Sequence, residues 1–257
     1  MCGFSGFIKN IPNRDNKKII LNMCGSISHR GPDNLDYWED DNIILGHNRL
    51  AIQDLSINGN QPFSSNCGRY IIVFNGEIYN HLELRKLYLS TFDFKSSSDT
   101  ETLIELISRL GIEKSISLID GMFSFAIYDR KDLCISLVRD RLGEKPLYYG
   151  IINNNFFFSS QLKAIKEIND LKFEINKESL NYYFNYCYIP SPLSIYKNIS
   201  KLEPGSYISF FIQKSDKLKV TNVIKKTFWS PLLSRTINPN FIDSKDIEAI
   251  LQNSVER

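Results

Sequence analysis

What most constrains this chain is its series of strand-length apolar segments. They are GFSGFI at 3–8, IILGH at 43–47, YIIVFNG at 70–76, MFSFAIYD at 122–129, LCISLVRD at 133–140, LYYGII at 147–152 and FFFSS at 156–160. β-branched and aromatic residues, partly alternating and bounded by turn formers, read as strands. FSFAIYD and LCISLV are separated only by Arg130, Lys131 and Asp132, which suits a hairpin and predicts antiparallel pairing. Helical signals lie between the strands. Ser98 with Glu101 has the spacing of a capping box, and Leu103, Ile104, Ile107 and Leu110 lay an apolar stripe that stops at Gly111. Asn80 with Glu83 opens a similar stretch, HLELRKLYL, and residues 16–28 and 177–186 are further helices. Strands and helices without strict alternation predict an α+β fold rather than a doubly wound sheet.

The polar stretch SRTINPN at 234–240 reads as a linker, and Ile247, Ile250, Leu251 and Val255 after it share one helical face. A single amphipathic helix after a linker either docks back on the main domain or is the first helix of a second, missing domain, and the second is expected. Among 257 residues, Lys and Arg outnumber Asp and Glu 31 to 29, so charge argues for neither nucleic acid nor a membrane as partner. No apolar run approaches the ~18 residues of a membrane span, and no basic region followed by an apolar stretch stands near Met1, so neither insertion nor export is expected. Cys2, Cys24, Cys67, Cys134 and Cys187 are odd in number and lack metal-type spacing, so a disulfide framework and a zinc site are not suggested and a cytoplasmic setting is expected.

Chemistry begins at MCGFSG. Loss of Met1, favoured by a small following side chain, would leave Cys2 with both a thiol and an α-amine. Their reference pKa values, ~8.5 and ~7.7–8.0, lie within one unit, so proton transfer between them is inexpensive and one residue can supply nucleophile and base. Elsewhere each motif has a plain reading. HRGPD at 29–33 is a turn signal in which Asp33 can bond its own backbone, and Arg49 in GHNRLAIQDLS is a strand-end charge or a carboxylate fork. Asn75-Gly76 is a hairpin turn, or else a pair of amides able to donate to an oxyanion. Asp99 either complements its helix dipole or holds an ammonium.

In order, MCGFSG, HRGPD, GHNRLAIQDLS, VFNGEIYNHLELR, SDTE, DGMFSFAIYD and RDRLGEKPLYYG resemble the N-terminal glutaminase domain of glutamine-hydrolysing asparagine synthetases, from residue 2 to about 210. YIPSPLSIYKNISKLEPGSYI at 188–208 is similar to the segment leaving that domain. The resemblance implies a four-layer αββα sandwich of the N-terminal nucleophile (Ntn) hydrolase type. It implies a class II glutamine amidotransferase domain over 2–210, a connecting segment over 211–240, and the first helix of a truncated ATP-pyrophosphatase domain over 241–257. It further implies that Cys2 attacks the side-chain amide of L-glutamine and that Asn75 and Gly76 form the oxyanion hole. Arg49 would clamp the α-carboxylate, Asp99 with Glu77 the α-ammonium, and Leu50, Ala51, Ile52 and Gln53 would line the pocket. No cofactor is expected for this half-reaction. ATP and Mg would serve the missing synthetase domain, and a homodimer or a separate synthetase domain is the expected partner. Glu144 and Gln161 depart from the family, which more often has an aliphatic residue and an acid there. An amidotransferase for another acceptor, such as a surface-sugar carboxylate, and a non-catalytic remnant acting as a binding module are the alternatives.

Overall fold

The structure, a computed structural model, describes residues 1–9, 15–168, 171–214, 218–231 and 244–256. In chain order its elements are β1 (Gly3–Ile8), α1 (Asn16–Ser26), β2 (Asn34–Glu39), β3 (Ile43–Arg49), β4 (Phe63–Ser64), β5 (Tyr70–Ile78), α2 (His81–Tyr88), α3 (Asp99–Leu110), α4 (Ile112–Leu118), β6 (Gly121–Asp129) and β7 (Cys134–Arg139). They continue with β8 (Tyr148–Ile152), β9 (Asn155–Ser159), α5 (Leu162–Ile165), α6 (Lys177–Tyr186), β10 (Ile199–Lys201), β11 (Ser206–Gln213), β12 (Lys219–Thr227) and α7 (Ser244–Glu256). The strands form two antiparallel sheets, ordered β10-β8-β9-β1-β3-β2 and β12-β11-β7-β6-β5-β4.

Strand alternation sorts the apolar residues into three cores. On β5, Ile71 and Val73 enter the core between the sheets with Phe4, Leu45, Leu137 and Phe158, whereas Ile72 and Phe74 face out beneath α2, α3 and α4. On the other sheet, Phe7, Ile44 and Phe157 pack under α1 and α5 through Ile20, Met23, Cys24 and Ile165. The result is the expected αββα sandwich. β1 is buried at every position because it lies between β3 and β9, and Gly6 is needed there. A Cβ at Gly6 would lie 2.4 Å from the Phe158 ring.

Several local expectations change. Ser98 caps α3 by accepting from Thr100 N, but the Glu101 carboxylate accepts from Lys95 N and Ser96 N instead of turning back to the cap. Asn80 precedes α2 without a side-chain cap; its amide accepts from Asp120 N and donates to Leu118 O, pinning the turn between α4 and β6. Asn75-Gly76 lies inside β5, not in a hairpin turn. Residues 188–208 do not leave the domain, since β10 pairs with β8 at the edge of one sheet. Past residue 210, β11 runs to Gln213 and β12 continues the other sheet to Thr227. The lysine-rich β12 hides from an apolar-run reading because an exposed edge strand needs few apolar side chains. The expected linker at 234–240 lies outside the described residues, while α7 forms with Ile250, Leu251 and Val255 exposed.

Candidate active site

Cys2 sits at the entry to β1, against the end of β3. Leu50 N lies 3.4 Å from its Sγ, and the thiol faces Leu50 O at 3.6 Å. Arg30, itself buried, donates from Nε to Cys2 O at 2.9 Å. In the orientation that satisfies its hydrogen bonds, the Asn75 amide donates from Nδ2 to Cys2 O at 3.0 Å and accepts from Arg30 at 3.2 Å. One N–H of that amide remains for the cavity. HRGPD thereby proves to be a brace. Gly31 passes so close to β3 that a Cβ would lie 2.4 Å from Asn48 O, and Asp33 accepts from Ala51 N at 2.8 Å rather than from its own turn. Burial pushes the Cys2 thiol up, opposed by the Leu50 N–H and the positive chain terminus. The terminal amine, here on Met1, is lowered by burial and by the nearby Arg30 and Lys145 charges, against the Cys2 and Asp33 charges.

The free edge of β5 forms the second wall. Phe74 N donates to Gln61 Oε1 at 2.6 Å and Ile78 N to Asp99 Oδ2 at 2.9 Å, so neither amide is turned toward β6. Residues two apart on a strand point their amides to the same side. Gly76 N–H therefore opens on this edge, between two occupied amides and beside Cys2. Gly76 has no room for a side chain, because a Cβ would lie 2.3 Å from Met122 O.

Charge is distributed around the cavity. Asp99, 6% exposed at the start of α3, is pushed up to about 6 chiefly by burial, partly offset by the Ile78 N–H. Gln53 spans the gap between strands, donating to Glu77 Oε1 at 3.0 Å and accepting from Asp99 N at 3.3 Å. Arg49 is buried beneath the 51–60 loop, donating to Ser56 O and Asn60 Oδ1, each at 2.7 Å, and to Asp54 O. Gly59 lets the loop cross the guanidinium. The Asp54 carboxylate ties the same loop to the α3 entry through Ser56 N and Ser97 N; the Ser56 side chain first, and then these amides, hold it down at about 2 against its burial.

Nine of the ten residues expected from sequence, namely Cys2, Arg49, Leu50, Ile52, Gln53, Asn75, Gly76, Glu77 and Asp99, line one cavity of about 90 Å³; Ala51 does not. Its N–H is spent on Asp33. Asp54, Gln61, Thr100, Met122 and Lys145 line the cavity too and were not singled out. Asp54, Thr100, Met122 and Lys145 fall within GHNRLAIQDLS, SDTE, DGMFSFAIYD and RDRLGEKPLYYG, and that place is the signal that could find them; Gln61 lies outside these motifs. A thiol, two amide donors, a guanidinium and two carboxylates within one cavity offer opposite charges to a zwitterion and donors to an oxyanion. Among the described residues no group of three His, Cys, Asp or Glu is placed to hold a metal, and no helix is long and apolar enough to cross a membrane.

Comparison with known proteins agrees with this geometry. A family model described as a glutamine amidotransferase domain matches residues 1–229. The chain is 40% identical over 237 residues to a putative glutamine-hydrolysing asparagine synthetase 2 of Methanocaldococcus jannaschii, covering 84% of this chain and 45% of the relative. It is 37% identical over 233 residues to glutamine-hydrolysing asparagine synthetase 1 of Bacillus subtilis, covering 89% and 36%. The chain thus spans less than half the length of these curated relatives. The glutamine phosphoribosylpyrophosphate amidotransferase of B. subtilis shares the fold, with a TM-score of 0.61 at 18% identity over 89% of this chain and 49% of that one. The order of motifs, the Ntn-type sandwich and the clustering of Cys2 with Asn75 and Gly76 have one common explanation: the chain belongs to the glutamine amidotransferase domain family.

Proposed function

We propose that this chain is the glutaminase part of a glutamine-hydrolysing asparagine synthetase, supplying ammonia for ATP-dependent amidation of aspartate elsewhere in the full protein. The observation that carries the reading is the convergence of the Cys2 thiol, the Asn75 amide and the free Gly76 N–H on one cavity. After Met1 is removed, the α-amine takes the thiol proton as Sγ attacks the substrate amide carbon. Asn75 and Gly76 stabilise the oxyanion, the proton passes to the departing nitrogen, and ammonia leaves a thioester. Water then hydrolyses the thioester to glutamate and returns the thiol. Arg49 faces the substrate α-carboxylate, and Asp99 with Glu77 faces the α-ammonium. Domain extent follows the sandwich through Thr227, with α7 beginning a synthetase domain that binds ATP and Mg. The free thiols suit a reducing, cytoplasmic compartment.

The processed chain is expected to convert glutamine to glutamate and ammonia, with no turnover by Cys2→Ala and a kcat lower by about 10²–10³ for Asn75→Ala. Retention of Met1, or acetylation of the Cys2 amine, should abolish the reaction. Full turnover by a chain whose terminal amine is blocked would overturn the mechanism. Aspartate-dependent ATP consumption by the full-length protein tests the acceptor.

A further inference from the structure

The turn between β7 and β8 delivers a lysine to the catalytic cavity. Asp140, 1% exposed, accepts from Leu142 N, Glu144 N and Lys145 N, and Arg139 donates to Lys145 O at 2.8 Å, so both ends of the turn are fixed from inside. Gly143 supplies the positive φ of +70° that the turn requires. Lys145 emerges 5% exposed, and its Nζ lies 3.2 Å from Met1 Sδ. Among the described residues no carboxylate is paired with it. A buried ammonium without a counter-ion is costly and calls for an account. Its contact is with the residue that processing would remove, so in the mature chain it faces the cavity at the Cys2 terminus.

We propose that Lys145 is a positioning residue for catalysis, its fixed ammonium keeping the neighbouring Cys2 α-amine in the free-base form that accepts the thiol proton. This rests on the glutaminase reading above. The reason is competition between two amines in one cavity. Lys145 brings a positive charge to the cavity wall beside the chain terminus, and a second positive charge there is disfavoured, which holds the α-amine in its neutral form. In the unprocessed chain the terminal amine, on Met1, is lowered by burial, then by Arg30 and Lys145, so Lys145 already acts on the amine that occupies this end of the cavity. The other charges facing this group are the Cys2 thiol, Arg30 before β2, Asp33 in the same turn, Arg49 at the end of β3, Glu77 on β5 and Asp99 on α3. Arg30 also lowers the amine, but it is spent on Cys2 O and Asn75, so its removal would disturb the oxyanion donors as well. Lys145 makes no such second contact.

The test uses the processed chain with Lys145→Met, which keeps length and removes charge, and Lys145→Arg, which restores charge. Two profiles are read against pH: kcat at saturating glutamine, where bound substrate holds Asp99 ionised, and the rate of Cys2 alkylation by neutral iodoacetamide. Removing the charge is expected to move the acidic limb of both profiles upward by about 1 pH unit, with KM changed less than threefold and the rate deficit shrinking as pH rises. K145R should return the limb toward its wild-type position. An unmoved limb, or a deficit equal at every pH, would overturn the proposal, the latter marking Lys145 as merely structural. Should K145M fail to fold, Lys145→Gln carries the same expectations. Wild-type chain without Cys2-dependent turnover would instead defeat the glutaminase reading, and the alkylation profile would still decide whether Lys145 tunes the terminus.

Discussion

Asp99 sets affinity against stability. Its carboxyl is raised to about 6 by burial, so the folded chain holds an extra proton between the ordinary carboxylate range and that value. Stability therefore falls as pH rises through this window, because the charge is forced to form in a buried place. The charged form, however, is the one that would hold a substrate ammonium. KM for glutamine is expected to rise roughly tenfold from pH 7 to pH 5 as Asp99 protonates. Asp99→Asn, which can still accept from Ile78 N, should raise KM roughly 10- to 100-fold, remove that pH dependence and leave the protein as stable or more so at pH 7. Unchanged KM in the variant would show that Asp99 does not meet the substrate; steady-state kinetics and urea unfolding check both halves. At this scale the sequence was informative about which residues gather at the cavity and silent about how they are held. Asp99 and Arg49 were legible from motifs, but the Asp54 clasp on the loop joins Ser56 and Ser97, and only the fold brings 97 beside 54.

β5 shows why an element can carry a site that its sequence disguises. Asn75-Gly76 resembles a turn dipeptide, and local statistics favour that reading. Tertiary context overrides it: β6 pairs along all of β5, and the glycine is required by the close approach of Met122 O and Phe123 rather than by a positive φ. β4 pairs only with Ile71 and Ile72, leaving the edge from Phe74 to Ile78 to Gln61, Asp99 and the cavity. A short partner strand is thus what frees the Gly76 N–H. Gly76→Ala should force β5 away from β6, costing about 1–3 kcal/mol of stability, and should lower kcat by about 10²–10³ by displacing the donor. Thermal melts together with kcat measured on the folded fraction separate the two effects; wild-type kcat in a destabilised variant would remove Gly76 from the oxyanion role. The same logic explains Asn80 and Glu101. Both had cap-like spacing, yet Asn80 found the amide of distant Asp120, and Glu101 found those of Lys95 and Ser96 in the segment just before its helix.

Across the whole molecule the sheets must keep their relative position, since Cys2 leads into one and Asn75 lies in the other. Layering was legible in the apolar runs because a two-residue period fixes which faces are dry. The polar link between the layers was not, because a histidine in IILGH carries no local sign of its partner. His47, on β3 and 0% exposed, meets Phe74 O of β5 through Nε2 at 3.0 Å. A carbonyl only accepts, so Nε2 carries the hydrogen and the ring is neutral with Nδ1 unpartnered. Protonation would bury a second N–H without an acceptor, and burial accordingly pushes His47 down to about 4, helped by Arg49 and opposed by the Phe74 carbonyl. A histidine lowered in the folded state contributes stability that is complete above its ordinary pKa of ~6.5 and is lost as pH falls toward about 4. Between pH 8 and 5 this loss amounts to about 2 kcal/mol, while Asp99 contributes in the opposite direction over part of the range. The two are separated by comparing wild type with His47→Gln, whose amide can still donate across the sheets but does not titrate. Urea unfolding at pH 8 and pH 5 should show the wild type losing about 2 kcal/mol more than the variant. Parallel losses would mean that the inter-sheet histidine is already charged in the native protein, and the neutral link between β3 and β5 would have to be abandoned.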